Sequence, residues 1–136
     1  MLAKNTYEQD YIDGAKKVVA YQVSTYRAVA EATTDEAALA QFEPVFFNDL
    51  VLVLDSFFAH RARGTEGKDG NPINEVTMLR DANLEHYGVF TESKTMKLTP
   101  ESSVLGIKFG DYVQLNEESF TKISEAFFSE LEARFT

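Results

Sequence analysis

The chain contains no cysteine and no tryptophan, and it has only two histidines. Without cysteine it cannot form disulfide bonds, thiolate zinc sites or iron–sulfur clusters, and it has no thiol nucleophile. Di-iron helical bundles use Glu-x-x-His pairs, but Phe57 and Asn83 occupy the positions three residues before His60 and His86. The sequence therefore favours a protein without metal or cofactor.

Long apolar runs are also missing. The longest, Leu50–Leu54, is too short to cross a bilayer and is flanked by Asp49 and Asp55. The first residues lack the apolar segment of a signal peptide. The formal net charge of -9 disfavours strong binding to nucleic acids or anionic membranes. We expect an acidic, cytoplasmic protein without membrane association.

The remaining composition is that of a folded domain. Hydrophobic residues make up 44% of the 136 residues and charged residues 26%, which argues against disorder. This length is typical of one compact domain, here residues 1–136. Phenylalanine is abundant, with 11 residues, so we expect the core to depend on Phe and Tyr packing.

Apolar residues recur at helical spacing in four segments. The first helix is predicted over Tyr7–Ala32, with a capping box from Asn5 or Thr6, and the second from Thr33 to Arg63. Pro44 lies within the second segment, so that helix is either kinked or divided into a short helix to Glu43 and a long one from Pro44.

Asn71 and Asn116 are natural N-caps for two further helices, to about Tyr87 and to the C-terminus. Between the second and third helices, residues 64–72 contain three glycines, Asp-Gly and Asn-Pro, and are predicted as a loop. Lys94–Leu98 and Tyr112–Leu115 have the pattern of two short strands. We predict a mainly α fold: a bundle of about four helices with a small two-stranded β element before the C-terminal helix.

The second helix carries a polar stripe opposite its apolar arc. The stripe consists of Asn48, Asp49, Asp55, Ser56, His60 and Arg63. The simplest interpretation is a solvated face, as any amphipathic helix has. The alternative is a ligand groove in which Asp49 or Asp55 orients His60, or in which His60 and carboxylates bind a metal.

Two features near the loop also have two interpretations. Arg61, Arg63 and Lys68 lie close to the start of the third helix, where free N–H groups favour an anion, but a plain connecting turn explains them as well. Arg80 falls within the apolar face of the third helix. Because a buried guanidinium needs a carboxylate, we expect it to reach an acid such as Asp55, or else to bind a substrate or phosphate.

Arg80 and His86 form Arg-x5-His, which resembles the Arg-x4-6-His signature of HEPN-domain ribonucleases, small α-helical proteins that act as dimers. The resemblance implies that His86 is a general acid/base and that Arg80 steadies the phosphate.

A longer resemblance extends across most of the chain. It rests on Phe46–Asp49, Asp55–Arg61, Glu66–Pro72, Asn74–Val76 and Val104–Asp111, which are similar to a family of small uncharacterised bacterial proteins. This resemblance implies a freestanding cytoplasmic protein and carries no activity.

Our leading hypothesis is a non-enzymatic binding or regulatory protein of unknown ligand. We expect it to form a homodimer, because its second helix is apolar over a wide arc, and to bind a small molecule or protein through Asp55, His60, Arg63 and Arg80. The alternatives are a HEPN-like, metal-independent ribonuclease that uses Arg80 and His86, and a metal-binding helical bundle that uses His60 and carboxylates.

Overall fold

The computed structural model describes residues 2–136, which form five helices. These are α1 (Gln9–Ala32), α2 (Glu36–Ser56), α3 (Arg63–Glu66), α4 (Pro72–Glu85) and α5 (Glu117–Phe135). Four long helices and the single turn of α3 confirm the prediction of a mainly helical fold. α4 packs against α2 and α5, and α1 lies against the same two helices from the outside.

Phenylalanine fills the core, as the composition predicts. The Phe side chains that are fully buried are Phe47, Phe58, Phe90, Phe120, Phe127 and Phe135. Residues near the two ends of the sequence also meet in space. The Tyr7 N–H donates to the Phe135 carbonyl at 2.7 Å, and the two rings lie 5.7 Å apart.

Two helix starts follow the predicted caps. The Asn71 side chain accepts from the N–H groups of Ile73 and Asn74, and Asn116 forms a capping box with Ser119. The predicted box at the start of α1 is wrong, because α1 begins after Glu8 without a side-chain cap.

The second helix differs from the prediction at both ends. It begins after Asp35, which accepts from the Ala38 N–H, and it runs unbroken through Pro44, so the division into two helices is wrong. It ends at Ser56 rather than Arg63. The backbone beyond it pairs instead with the N-terminal segment, where the Lys4 N–H donates to His60 O and the Lys4 carbonyl accepts from the Ala62 N–H, both at 2.7 Å.

The predicted β element is wrong. Residues 2–136 contain no strand, only isolated bridges between Lys4 and Arg61 and between Val89 and Tyr112. The Asn48 carboxamide takes the place of a neighbouring strand, since it donates to Val113 O at 2.8 Å and accepts from the Leu115 N–H at 3.1 Å. The Asn48 side chain thus occupies the backbone N–H and C=O groups that a neighbouring β-strand would need for pairing.

The loop between α4 and α5 is tied to the core by a buried carboxylate. Glu75 of α4 is fully buried and accepts from the Val104 N–H at 2.8 Å, the Leu105 N–H at 3.1 Å and the Ser103 hydroxyl at 2.8 Å. Hydrogen bonds to an ionised group are stronger than neutral ones. Glu75 therefore fixes the position of residues 103–105, which form no helix or strand.

By length and composition alone, α2 would also qualify as a membrane-spanning helix. The core helix of a soluble protein passes the same test, so this is weak evidence. Here α2 packs against three other helices of the bundle.

Candidate functional site

The two predicted site residues Asp55 and Arg80 are joined in a buried ion-pair network. Asp55 is only 5% exposed, and its Oδ2 lies 3.2 Å from Arg80 Nη1. Its Oδ1 lies 2.8 Å from Arg61 Nη2, in an ion pair whose N–H is not aligned for a hydrogen bond. Asp55, the example given above of an acid within reach of Arg80, is therefore one of its partners in the structure.

Arg61 is the centre of this network. Its guanidinium donates to Glu66 Oε1 at 2.7 Å, to the Thr77 hydroxyl at 2.8 Å and to Phe58 O at 3.0 Å. Glu66 in turn accepts from the Asn74 amide at 2.8 Å. The network joins the end of α2 to α3 and α4. Sequence reasoning missed Arg61 and Glu66 as buried residues because both lie in a segment that looks like an exposed helix end and loop.

Arg80 has a carboxylate on each side. Besides Asp55, it donates to Asp81 Oδ1 from Nε and Nη2 at 3.1 and 3.0 Å. Burial lowers the pKa of Arg80, but the carboxylates of Asp55 and Asp81 together raise it by more than burial lowers it. The pKa of Arg80 therefore lies above its ordinary value. Three carboxylates balance the charges of two guanidiniums here. The network therefore offers no uncompensated positive charge to a phosphate.

The other predicted residues do not join this network. His60 and Arg63 are exposed, and His86 ends α4 as its C-cap. Of the predicted binding residues, Arg63 lines a cavity of ≈ 300 Å³ beside Glu66 and Lys68, whereas Asp55, His60 and Arg80 line none of the four cavities described. Over residues 2–136, no group of three His, Asp or Glu side chains is placed to hold a metal ion. The ribonuclease hypothesis stays a prediction.

The N–H groups at the junction of the glycine-rich loop and α4 are already bound within the chain. Asn71 occupies the first N–H groups of α4, and the Gly70 N–H donates to Asn74 Oδ1 at 3.0 Å. Gly70 has a positive φ of 83°, and a Cβ there would lie 2.4 Å from the Lys97 carbonyl. This glycine is required for close backbone packing. The plain connecting turn is the better interpretation, and residues 63–66 of it form α3.

A groove between α1 and α5 is the largest of the cavities described. Its volume is ≈ 500 Å³. The two helices are antiparallel, since Lys16 near the start of α1 pairs with Glu132 near the end of α5. Val19, Val23 and Phe128 form an apolar floor. We call this cavity the α1–α5 groove.

Ion pairs close both ends of the α1–α5 groove. Lys16 Nζ lies 3.0 Å from Glu132 Oε1, and Arg27 Nη2 lies 2.6 Å from Glu117 Oε2. Hydrogen bonds from Lys16 and then Gln9 hold the pKa of Glu132 below its usual range, and the Glu117 hydrogen bond raises the pKa of Arg27. The two cations are eleven residues apart on α1, which corresponds to a groove about 16 Å long.

Hydroxyl groups line the sides of the α1–α5 groove. Ser24 donates to the Tyr21 carbonyl at 2.7 Å and Ser124 to the Thr121 carbonyl at 3.1 Å. Because each hydroxyl has two lone pairs as well as one proton, both oxygens remain acceptors. The groove therefore combines an apolar floor, hydroxyl acceptors at its sides and paired charges at its ends.

No protein-family model, curated protein or solved structure matches this chain. The sequence did not predict a binding site at the α1–α5 groove. Its residues fall on helix faces that look like ordinary core stripes. The only sequence signal is the small residues Ala20, Ser24 and Ser124, which leave space between two helices that larger side chains would fill.

Proposed function

We propose that this protein is a non-enzymatic binding protein that holds an uncharged, elongated small molecule in the α1–α5 groove. The single observation that carries the proposal is the open space of ≈ 500 Å³ above the apolar floor. Cavities that bind small molecules usually measure about 300–1,000 Å³ and are lined mainly by apolar side chains with a few polar groups. The α1–α5 groove has such a volume and an apolar floor, although polar and charged side chains make up most of its sides and ends.

The charges of the groove favour a neutral ligand. Lys16 and Arg27 are each bound to a glutamate, so a charged ligand would have to displace an existing ion pair. Glu125 adds one further carboxylate at the side, which disfavours an anion. A molecule with an apolar body and a hydroxyl or amide N–H would bury its body against Phe128 and donate to Ser24 or Ser124.

The groove is also short for a partner helix. The ion pairs at its two ends limit an occupant that lies along it to about 16 Å, the length of about eleven helical residues. A small molecule is therefore the better occupant. We retain the cytoplasm as the expected location.

Titration with Nile red, an uncharged fluorescent probe, tests this proposal. We expect saturable binding at one site, and we expect Ala20→Phe to weaken it by at least about tenfold, because the ring occupies space that the probe needs. Ala133→Phe is the matched control, since Ala133 is exposed on α5 and outside the groove. Equal probe binding by Ala20→Phe and the unsubstituted protein, or no saturable binding by the latter, would contradict the proposal.

A further inference from the structure

The outer side of α1 and α2 exposes large apolar side chains far from the floor of the α1–α5 groove. The most exposed of them are Val18, Tyr21 and Val29 of α1 and Phe42 and Val45 of α2. Tyr21 is 69% exposed and Val45 is 58% exposed. We call this surface the α1–α2 face. Contiguous apolar surface of this kind marks an interaction site more often than single exposed residues do.

Few charged side chains lie on the α1–α2 face, although the exposed Lys17 and Asp49 lie one turn from Tyr21 and Val45. On α1, an uncharged stripe recurs at intervals of three or four residues: Tyr11, Gly14, Val18, Gln22, Thr25 and Val29. Residues 37–56 of α2 contain three carboxylates. Asp55 is buried and Glu43 accepts from the Glu117 N–H, so Asp49 is the one carboxylate of that segment that is exposed.

A shallow hollow lies at the seam of the two helices. It has a volume of ≈ 190 Å³ and is lined mainly by apolar side chains such as Phe42, Val45 and Val53, with Asp49 and Gln22 as its polar residues. The ring of Phe42 stacks on the buried ring of Tyr26, and the two ring centroids lie 6.3 Å apart. The hollow is large enough to receive an apolar side chain, and the α1–α2 face itself offers exposed valine and phenylalanine side chains.

We propose that the α1–α2 face binds a second copy of this chain, in a symmetric dimer whose four outer helices pack together. Both helices are about 30 Å long and the pair is about 20 Å wide, which gives roughly 600 Å² for each copy. Two such surfaces reach the lower end of the roughly 1,200–2,000 Å² that stable interfaces bury. A twofold axis makes one surface its own complement, so the hollow of each copy receives a side chain of the other.

The distribution of charge favours the α1–α2 face over the rest of the surface for contact between two copies of the chain. Two chains of net charge -9 repel one another wherever their acidic surfaces meet. The α1–α2 face is the surface where they can approach with Asp49 as the one exposed carboxylate of residues 37–56. The same net charge disfavours an anionic bilayer, which would repel the rest of the molecule.

Sedimentation velocity over a wide range of protein concentrations tests the proposal. We expect a monomer–dimer equilibrium, in which Val45→Glu raises the dissociation constant by at least about 100-fold, since a carboxylate would be desolvated at the interface. Leu84→Glu is the matched control, because Leu84 is 64% exposed on α4 and should leave the equilibrium unchanged. We also expect added salt to strengthen the dimer, because it screens the repulsion between acidic chains.

A monomer at every concentration would overturn the proposal, and so would a dimer that Val45→Glu leaves intact. If circular dichroism shows that Val45→Glu does not fold, Tyr21→Glu on α1 makes the same test at a more exposed position. Flotation of the protein with phosphatidylcholine vesicles, with no dimer in their absence, would assign the α1–α2 face to lipid and overturn the proposal as well. Ala20→Phe should leave the dimer unchanged, so this proposal and that of the α1–α5 groove fail separately.

Discussion

α4 and α1 are opposite extremes of the same bundle. Eight of the 14 residues of α4 are buried, against four of the 24 residues of α1. The buried residues of α4 include Asn74, Glu75 and Thr77, whereas those of α1 are mainly apolar. α4 therefore makes specific, directional contacts in the interior, and α1 provides an apolar cover with most of its surface exposed.

This difference separates stability from binding. Removing the partner of a buried polar group around α4 lowers the free energy of unfolding strongly, because water cannot reach the group to replace the lost hydrogen bond. The polar contacts of α1 lie at the surface, where water can replace them. We infer that α4 and its network maintain the fold, while both proposed binding surfaces use α1.

The largest effect is expected from Arg61→Ala. This change leaves Glu66 buried without its cation and Asp55 with Arg80 alone, and breaking a buried pair in this way typically costs about 3–5 kcal/mol. Urea unfolding followed by circular dichroism measures the loss in the free energy of unfolding. Arg63→Ala, two residues away and exposed, is the control and should change little. A loss below about 1 kcal/mol for Arg61→Ala would mean that the network does not carry the fold.

A smaller effect is expected from Glu75→Gln. The amide keeps the shape of the side chain, but its NH2 group cannot accept, so at least one of the three hydrogen bonds from residues 103–105 is lost, and we expect a loss of about 2 kcal/mol. Hydrogen exchange should accelerate at the amides of Val104 and Leu105 before it does so in α4. Exchange that stays unchanged at both amides would show that the loop has another anchor.

The smallest effect is expected from Arg27→Ala. Its ion pair with Glu117 is exposed, and such pairs contribute little because water and salt replace them. The melting temperature should therefore remain that of the unsubstituted protein. If Arg27→Ala destabilises the fold as much as Glu75→Gln, the contrast between α1 and α4 is broken.

The sequence predicts best what depends on neighbouring residues. The starts of α4 and α5 were predictable because Asn71 and Asn116 cap their own helices. The contact between Arg80 and Asp55 was also predictable, because a guanidinium on an apolar face must find a carboxylate. These conclusions need only local spacing and the chemistry of one side chain.

What the sequence could not give depends on distant residues. The segment 112–115 has a strand pattern, but besides one bond from the Val113 N–H to Gly88 O, its backbone is bound by the side chain of Asn48 on α2. Arg61 is buried only because α2 ends early and the chain turns it towards Asp55 and Glu66. The α1–α5 groove likewise exists only once two helices from opposite parts of the chain are adjacent.

The contact between Tyr7 and Phe135 has a consequence for biosynthesis. The 2.7 Å hydrogen bond that precedes α1 cannot form until residue 135 has left the ribosome, about 130 residues after residue 7, which takes on the order of 10 s. During that time α1 has no α5 to cover its apolar stripe. α1 can thus pack against α2 early, but it gains its contact with α5 only after α5 has emerged.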